Sequence, residues 1–517
     1  MHSSEQTFQH LSAFWSHLSL HTRTCDASGD RIVSIYPQSC PYPVYHMRHW
    51  LMHDTTPGAH IDFEQPVFAQ AWEVFRRSPI PHNLGEWSEN CEYTDDAWYS
   101  KDCYLTHNMY QSQNTYYSHR AIDLVDCRYC IYTYSSQKCS DLVYCFGCFN
   151  LVYALNCKRC SDSAFLFDCE DCQDCILCWN LRNKRYCIGN RQLTESEYHY
   201  ERAQYNLASR KVYTLLQAQF LKYIHENAWW KASHMLANEN CTGDFLANNH
   251  NCHDCFIIDQ SEDCSMGIRS TQAVSSSRFV SIISSDHVED SVNIWEKSSN
   301  IRFSVNLAEC RNMEYCTYCL RSSHCFLSIW LIDKEYYILN QPYTEPEYHI
   351  LKWKIIDHMR KTGEYGIFFP AYFSPSAYDE SLAGIYYPLS VTEQESFGFR
   401  TKSSIEKYST DYKDAPEIPD TLTAENEQQF LGQVYWDKEE GRPIQFFAPD
   451  IALCRDLGIA PNDTFYLRRI RDNFSNLHFG MLLRDTICAQ SRVSIQTTLP
   501  ASLDGRILSV EAYDALF

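Results

Sequence analysis

Cysteine recurs in this chain at a short fixed period, and that limits the fold more than any other feature. Cys130, Cys139, Cys148 and Cys157 recur every nine residues, and Cys160, Cys169, Cys178 and Cys187 do so in a second phase. Twelve cysteines fall within residues 127–187, and many other every-third positions there are small or apolar, among them Thr133, Ser136, Leu142, Leu151, Ala154, Ser163 and Leu166. A short period held over several repeats is what a solenoid requires, because each coil stacks on the last and reuses its inward positions. In a strand, residues three apart face opposite sides, so both point inward only where a corner lies between them. Cys127 and Cys145 lie eighteen apart, and a coil of eighteen residues with several corners meets the condition. Cysteine suits the narrow interior, being small, often buried and similar to a compact hydrophobe.

A second run follows. Cys252, Cys255 and Cys264, then Cys310, Cys316, Cys319 and Cys325, repeat the three- and nine-residue spacings, while residues 270–305 carry Ser, Val and Ile instead. Cysteine is then an exchangeable core residue rather than an obligatory ligand. The runs end alike: Leu181 to Asn190 aligns with Leu331 to Asn340, and Thr194 to His199 with Thr344 to His349, all at an offset of 150 residues. Thr194 and Glu197 fit a capping box. Each run is therefore expected to close with a strand and an amphipathic helix that cover its open end.

The chain has 517 residues and a net charge of −21, which argues against a general nucleic-acid or anionic-membrane surface. It lacks a membrane-length apolar stretch and a secretion signal at its start, so the expected location is cytoplasmic and the thiols are expected to be reduced. The expected division is a lead-in with an N-terminal unit (1–87), a first solenoid (88–190), a helical cap (191–237), a second solenoid (238–340), a helix with an aromatic wrap (341–400), a linker (401–429) and a C-terminal unit (430–517). Residues 65–76 and Asp450 to Leu457 have helical spacing. Arg31 to Tyr36 and Arg492 to Thr497 read as strands, each after a cysteine, Cys25 and Cys488.

Several stretches resemble an uncharacterised cysteine-rich repeat family of candidate-phylum bacteria. They are Cys25 to Tyr45, Ser88 to Thr94, Asn180 to Asn190, Lys361 to Pro370, Ser374 to Tyr378 and Cys488 to Thr498. The resemblance implies a repeat scaffold flanked by small treble-clef zinc-finger-like units, and it brings no activity with it. Where those units carry CxxC pairs, this chain has Ser28 after Cys25, Ser491 after Cys488, and Ser509 and Ala512 in the later pair. Both terminal metal sites are thus degenerate.

The chemistry is read against this background. Cys169, Cys172, Cys175 and Cys178 form the densest cluster, but the last spacing and the lack of a following proline disfavour an iron–sulfur ligand set. Zinc needs four converging thiolates, and the candidates are Cys127, Cys130, Cys145, Cys148, Cys169, Cys172, Cys175, Cys178, Cys252, Cys255, Cys316 and Cys319. A coil period produces CxxC spacings by itself, so packed thiols without a cofactor are the expectation and zinc is the alternative. His250 and His253 flank Cys252 and read as loop residues before they read as ligands. No phosphate loop, dinucleotide fingerprint, HExxH or GxSxG is present. Trp229-Trp230 and Tyr386-Tyr387 read as module walls, or else as exposed anchors for a partner. The fold expected is mainly β: two tandem cysteine-lined β-solenoid (β-helix) modules with capping helices and small α+β treble-clef-like ends. The function expected is a non-enzymatic scaffold that binds a protein or ribonucleoprotein assembly rather than free nucleic acid or membrane.

Overall fold

A computed structural model describes residues 4–16, 19–52, 55–85, 88–91, 93–110, 119–122, 133–134, 149–265, 267, 270–271, 274–277, 280–283, 285–289, 292–294, 298–402, 415–438, 442–461, 466–478 and 480–517. Strand accounts for 30% and helix for 28%. The chain is thus rich in strand but carries almost as much helix, where a mainly β chain was expected. Helices outside the cysteine runs supply the difference. Among the described residues, no helix is long and apolar enough to cross a membrane.

The strands of each cysteine run lie parallel in a constant register. Phe149–Leu155, Ser161–Phe167 and Gln173–Trp179 pair in succession, with Ser161 opposite both Phe149 and Gln173, an advance of twelve residues per strand. Thr94–Trp98 and Thr106–Tyr110 keep the same step, as do Gly243–Ala247 and Cys255–Asp259. The expected repeat of eighteen is therefore corrected to twelve. Two local slips occur among the described strands: Met235 stands opposite Leu246, a step of eleven, and Val292 stands opposite Val305 and Ser285 opposite Ser298, a step of thirteen.

Backbone conformation explains how residues three apart can share one side. Asn150, Tyr153, Asn156, Arg159, Asp162 and Phe165 all have φ between 48° and 55°, and the pattern continues every third residue to Tyr186. A left-handed residue turns the chain, so twelve residues make four short segments. Asn and Asp tolerate this conformation, whereas Tyr153, Phe165 and Leu177 adopt it at a cost. Links between successive strands offset that cost: Asn150 Nδ2 donates to Asp162 Oδ1 at 3.0 Å, and Arg159 grips both oxygens of Asp171 at 2.7 Å.

Residues just after each left-handed position face inward. Leu151, Ala154, Cys157, Cys160, Leu166, Cys169, Cys172, Cys175, Cys178 and Cys187 make one apolar cluster. Cys310, Cys316, Cys319 and Cys325 belong to another, with Ile294, Ile301, Leu307 and Met313. The opposite faces carry large rings. Tyr153, Phe165 and Phe167 pack with Phe220, Ile224 and Trp230, and Tyr315, Phe326 and Trp330 pack with helices and the N-terminal unit.

Both runs end in a short antiparallel hairpin, Arg185–Ile188 with Arg191–Gln192 and Glu335–Ile338 with Gln341–Pro342. A helix follows each, Glu195–Arg202 and Glu345–Thr362, and both open on a capping box, from Thr194 with Glu197 and from Thr344 with Glu347. The helix expected over 65–76 spans Val67–Phe75, and the one expected at Asp450 begins at Ala448.

The two chain ends fold alike. His21–Thr24 pairs with Arg31–Ser34, and Arg484–Ile487 with Ser494–Thr497, both antiparallel. Val44–Tyr45 pairs with Ile80–Pro81, and Ile507–Leu508 with Trp230–Lys231, both parallel. Ser34 Oγ donates to the His82 carbonyl at 2.8 Å, and Thr497 Oγ1 to the Ala232 carbonyl at 2.8 Å. Each end unit also grips the far end of a run. Trp330 Nε1 donates to the Trp50 carbonyl at 3.0 Å, and Asn180 Nδ2 donates to the Tyr513 hydroxyl at 2.8 Å. The N-terminal unit thus ties the start of the first run to the end of the second, and the C-terminal unit ties the end of the first to the start of the second.

Residues 415–422, expected as linker, are tied down. Asp420 accepts from Ser209 Oγ at 2.8 Å and from Lys211 N at 3.0 Å, so it caps helix Arg210–Asn227. Phe430, Tyr435, Phe446 and Ile451 form a small core of their own within the expected 430–517 unit.

Candidate functional site

Two sets of residues carry chemistry: the inward thiols and a cleft at the C-terminal junction. Among the thiols, Cys127, Cys130, Cys145 and Cys148 lie outside the described residues. Cys169, Cys172, Cys175, Cys178, Cys252, Cys255, Cys316 and Cys319 are at most 2% exposed, and each described cysteine is a free thiol.

The nine-residue spacing has a direct meaning here. Cys160 Sγ donates to the carbonyl of Lys158 at 3.3 Å and of Cys169 at 3.4 Å, and Cys255 Sγ to those of His253 at 3.4 Å and Cys264 at 3.2 Å. Cys310 Sγ reaches Ala308 and Cys319 in the same way, at 3.3 and 3.4 Å. These three thiols thus lie within reach of an inward carbonyl two residues back and of one nine residues on, which is one segment short of a full twelve-residue repeat. Ser322 Oγ makes the same two bonds, to Leu320 and Leu331 at 3.0 and 3.1 Å. Serine and cysteine are interchangeable in this role. Burial holds the thiols of Cys157, Cys319 and Cys325 well above the ordinary range and pushes Cys310 up to about 12. Among the candidate ligands, Cys169, Cys175, Cys255 and Cys319 are likewise raised, whereas hydrogen bonds from neighbouring thiols lower Cys172 and Cys252.

The end-unit cysteines differ. Burial would raise both thiols, but hydrogen bonds to sulfur outweigh it. Cys25 is lowered by the Ser28 hydroxyl and by backbone N–H groups, including His46 N at 3.3 Å. Cys488 is brought down to about 6 by the Ser491 hydroxyl and by N–H groups that include those of Ser491 and Ser509, at 3.4 and 3.3 Å. Each end unit thus holds one cysteine, Cys25 or Cys488, whose sulfur accepts several hydrogen bonds. Among the described residues, no three His, Cys, Asp or Glu side chains converge in a way that could hold a metal ion. His250 lies 3.7 Å from Glu262 and is half exposed.

The cleft lies where the first run, the start of the second and the C-terminal unit meet. Asn156, Phe167, Trp230, His234, Asp244, His478 and Thr498 line it around a cavity of about 20 Å³, room for roughly one water. Asp244 Oδ1 accepts from the backbone N–H of His234 at 2.6 Å and of Phe245 at 2.9 Å, and lies 3.1 Å from His234 Nδ1. Thr498 Oγ1 donates to Asp244 Oδ2 at 3.2 Å. His234 stacks on Phe245, centroids 4.4 Å apart, and its Nε2 meets Asn156 Nδ2 at 3.0 Å. Both ring nitrogens are thereby engaged, so His234 has no lone pair left for a substrate proton. The nearby hydroxyl donates to the carboxylate instead of the imidazole. The pair acts as a clasp between three segments.

Beside the clasp, His225 Nε2 and His478 Nε2 lie 2.8 Å apart. Burial, with repulsion from His225, brings His478 down to about 4. Trp230 Nε1 is buried without a hydrogen-bond partner. At the equivalent junction of the N-terminal unit, the hydroxyls of Tyr36 and Tyr318 meet at 2.7 Å. The aligned positions at the cleft are Leu499 and Asp168, so two phenol rings fill one junction and are missing from the other. The sequence points to Trp230 but not to this junction. The spacing of Cys25 and Cys488 from the strands after them was the available signal. Trp230, considered as an exposed anchor, is 3% exposed, and Tyr386 and Tyr387 pack against the core. No protein-family model, curated protein or solved structure matches the chain.

Proposed function

We propose that the chain is a tandem β-solenoid scaffold, with four short sides to each twelve-residue coil, and that it binds a protein or ribonucleoprotein assembly along its long outer faces. The observation that carries this reading is the commitment of the thiols. Inward cysteines are buried and bonded to carbonyls, and serine takes their place in the same columns. Their chemistry is therefore used in packing the inside of the coils. Stacked coils repeat outer side chains at about 4.8 Å, and solenoids use such extended surfaces for recognition. In the second run, Asn300 Nδ2 donates to Asn312 Oδ1 at 2.6 Å, and Arg321 holds Asp333 at 2.8 Å. These polar ladders are the surface offered to a partner. The resemblance to a repeat family with degenerate zinc ends supports the same reading.

The test pairs capture with metal analysis. Tagged protein recovered from native extract should bring down a defined partner, and Arg321→Ala with Arg159→Ala should weaken its recovery. Elemental analysis of the same material should find less than one metal ion per chain. Several zinc or iron ions per chain would favour the metal-binding alternative, and turnover of a substrate without any partner would reverse the scaffold reading.

A further inference from the structure

We infer that the opening of each run carries a redox-active cysteine pair, Cys91 with Cys103 and Cys241 with Cys252, which a small-molecule disulfide converts into a protein disulfide between the first two coils. The inference concerns these four thiols and does not depend on the scaffold reading.

Three described cysteines are partly exposed, Cys40, Cys91 and Cys241. Cys40 belongs to the N-terminal unit, whereas the other two occupy matched places. Glu89-Asn90-Cys91 and Glu239-Asn240-Cys241 are the same tripeptide at the 150-residue offset, where each run begins. Each sulfur donates to the glutamate carbonyl two residues back, at 3.2 Å in both. Each lies beside a buried cysteine of the next coil. Glu89 pairs with Lys101 and Thr94 with Thr106, so Cys91 stands opposite Cys103. Glu239 pairs with His250, so Cys241 stands opposite Cys252, and the Cys252 backbone N–H donates to Cys241 Sγ at 3.4 Å. Asparagine bridges hold both registers, from Asn90 Nδ2 to Asp102 Oδ1 at 2.7 Å and from Asn240 Nδ2 to Asn251 Oδ1 at 2.8 Å. Neighbouring strands lie about 4.8 Å apart, within the roughly 4.4–6.8 Å between Cα atoms that a disulfide spans.

Exposure separates these pairs from other stacked cysteines. Cys175 stands opposite Cys187, but both are at most 1% exposed, so no reagent reaches either sulfur in the folded chain. Towards the far end of the second run cysteine is stacked on serine instead. Cys310 N–H donates to Ser298 Oγ and Cys316 N–H to Ser304 Oγ, at 3.1 Å each, across one coil. An accessible thiol beside a buried resolving thiol is what disulfide exchange requires.

In the first step the Cys241 thiolate attacks one sulfur of the small disulfide, whose S–S bond breaks and releases one small thiol. In the second, the Cys252 thiolate attacks the Cys241 sulfur, the protein S–S bond forms and the second small thiol leaves. Two protein thiols are oxidised, one small disulfide is reduced, and the two protons pass to the released thiols. The second step is internal and needs no solvent access to Cys252. Cys91 and Cys103 follow the same route.

Burial raises the Cys241 thiol, and the Cys252 N–H works against that rise, so the test is run in mild alkali. The reduced full chain is incubated with oxidised glutathione at about pH 8.5, trapped with an alkylating reagent and mapped by mass spectrometry without reduction. The bonds Cys91–Cys103 and Cys241–Cys252 should form, and dithiothreitol should reverse them. Cys252→Ser should halt exchange at a glutathione adduct on Cys241, and Cys103→Ser at one on Cys91. Serine fits such columns, as Ser322 shows, and thermal melts check each fold. Oxidation should slow protease cleavage within the opening coils by about 10-fold or more, because closing a short loop restrains the opened chain. Four outcomes would overturn the inference: neither bond or only one of them forming, wild-type adducts on Cys91 and Cys241 that never resolve, either thiol bonding to a different cysteine, or Cys175–Cys187 forming as fast as the opening pairs.

Discussion

Replacing Cys175 by serine should be nearly harmless, and this substitution tests most directly what the thiols do. Cys175 is the third member of the densest cysteine cluster and is fully buried. Its sulfur donates to the Gln173 carbonyl at 3.3 Å, and its backbone N–H donates to Ser163 Oγ at 3.0 Å. Ser163 stands twelve residues earlier and makes the same local bond, Oγ to the Ser161 carbonyl at 2.7 Å. A serine at 175 thus extends a column that already contains one. The hydroxyl finds a carbonyl acceptor in place, so the cost is limited to the smaller apolar surface and a rearranged hydrogen bond, about 0.5–1.5 kcal/mol. Cys175→Leu forces two extra heavy atoms into the same space and should cost about 1–3 kcal/mol. The assay is the urea midpoint followed by circular dichroism, with metal content measured on both variants and the wild type. If Cys175→Ser cost more than about 3 kcal/mol, or if it released a stoichiometric metal, the thiol would be a ligand and the packing account would fail.

Other perturbations probe the ends and the clasp. Gly243 has φ +137°, and an added Cβ would lie 1.7 Å from the Cys255 carbonyl, so Gly243→Ala should destabilise the start of the second run by about 2–4 kcal/mol, read as a lower urea midpoint. Asn180 bonds to Trp229 N, the Trp229 carbonyl and the Tyr513 hydroxyl at 2.8, 3.0 and 2.8 Å. Asn180→Ala should loosen the C-terminal unit by about 2–4 kcal/mol and open it to limited proteolysis before the rest of the chain. His478 is held down to about 4 by burial and by His225. The docked form therefore keeps His478 neutral while the unfolded chain takes up a proton below about pH 6.5. Stability is complete above that pH and is lost as the pH falls from there to about 4. The loss should be on the order of 1–2 kcal/mol after solvent screening, and His478→Gln should flatten that part of the profile. Alkylation at pH 8 should spare Cys310, whose thiol is pushed up to about 12 by burial, until urea opens the second run.

Much of the architecture was legible because its rules are local. The 150-residue alignment of the two runs, the capping box at Thr194 and the closing hairpins each depend on residues close in sequence, and their structural counterparts are superimposable in kind. The three-residue alternation was visible, but its geometry was not. Cysteines nine apart suggested a coil of eighteen. In fact nine is the distance from a thiol to its carbonyl acceptor across successive strands, and the strands themselves step by twelve. Composition along a line cannot separate those two periods, since both are multiples of three. The expected linker hid Asp420, whose partner Lys211 is remote in sequence.

Sequence alone determined that inward positions recur every third residue, that cysteine and serine trade places there, and that two modules repeat. Inward positions must be small and must serve nearby carbonyls, and those demands leave a periodic trace. Only tertiary structure decided how the modules are joined: that the N-terminal unit grips Trp330, that the C-terminal unit grips Asn180, and that His234, Asp244 and Thr498 meet in one clasp. Those contacts occur once each between segments far apart in the chain. No period announces them, and their geometry follows from where the rigid runs carry their ends.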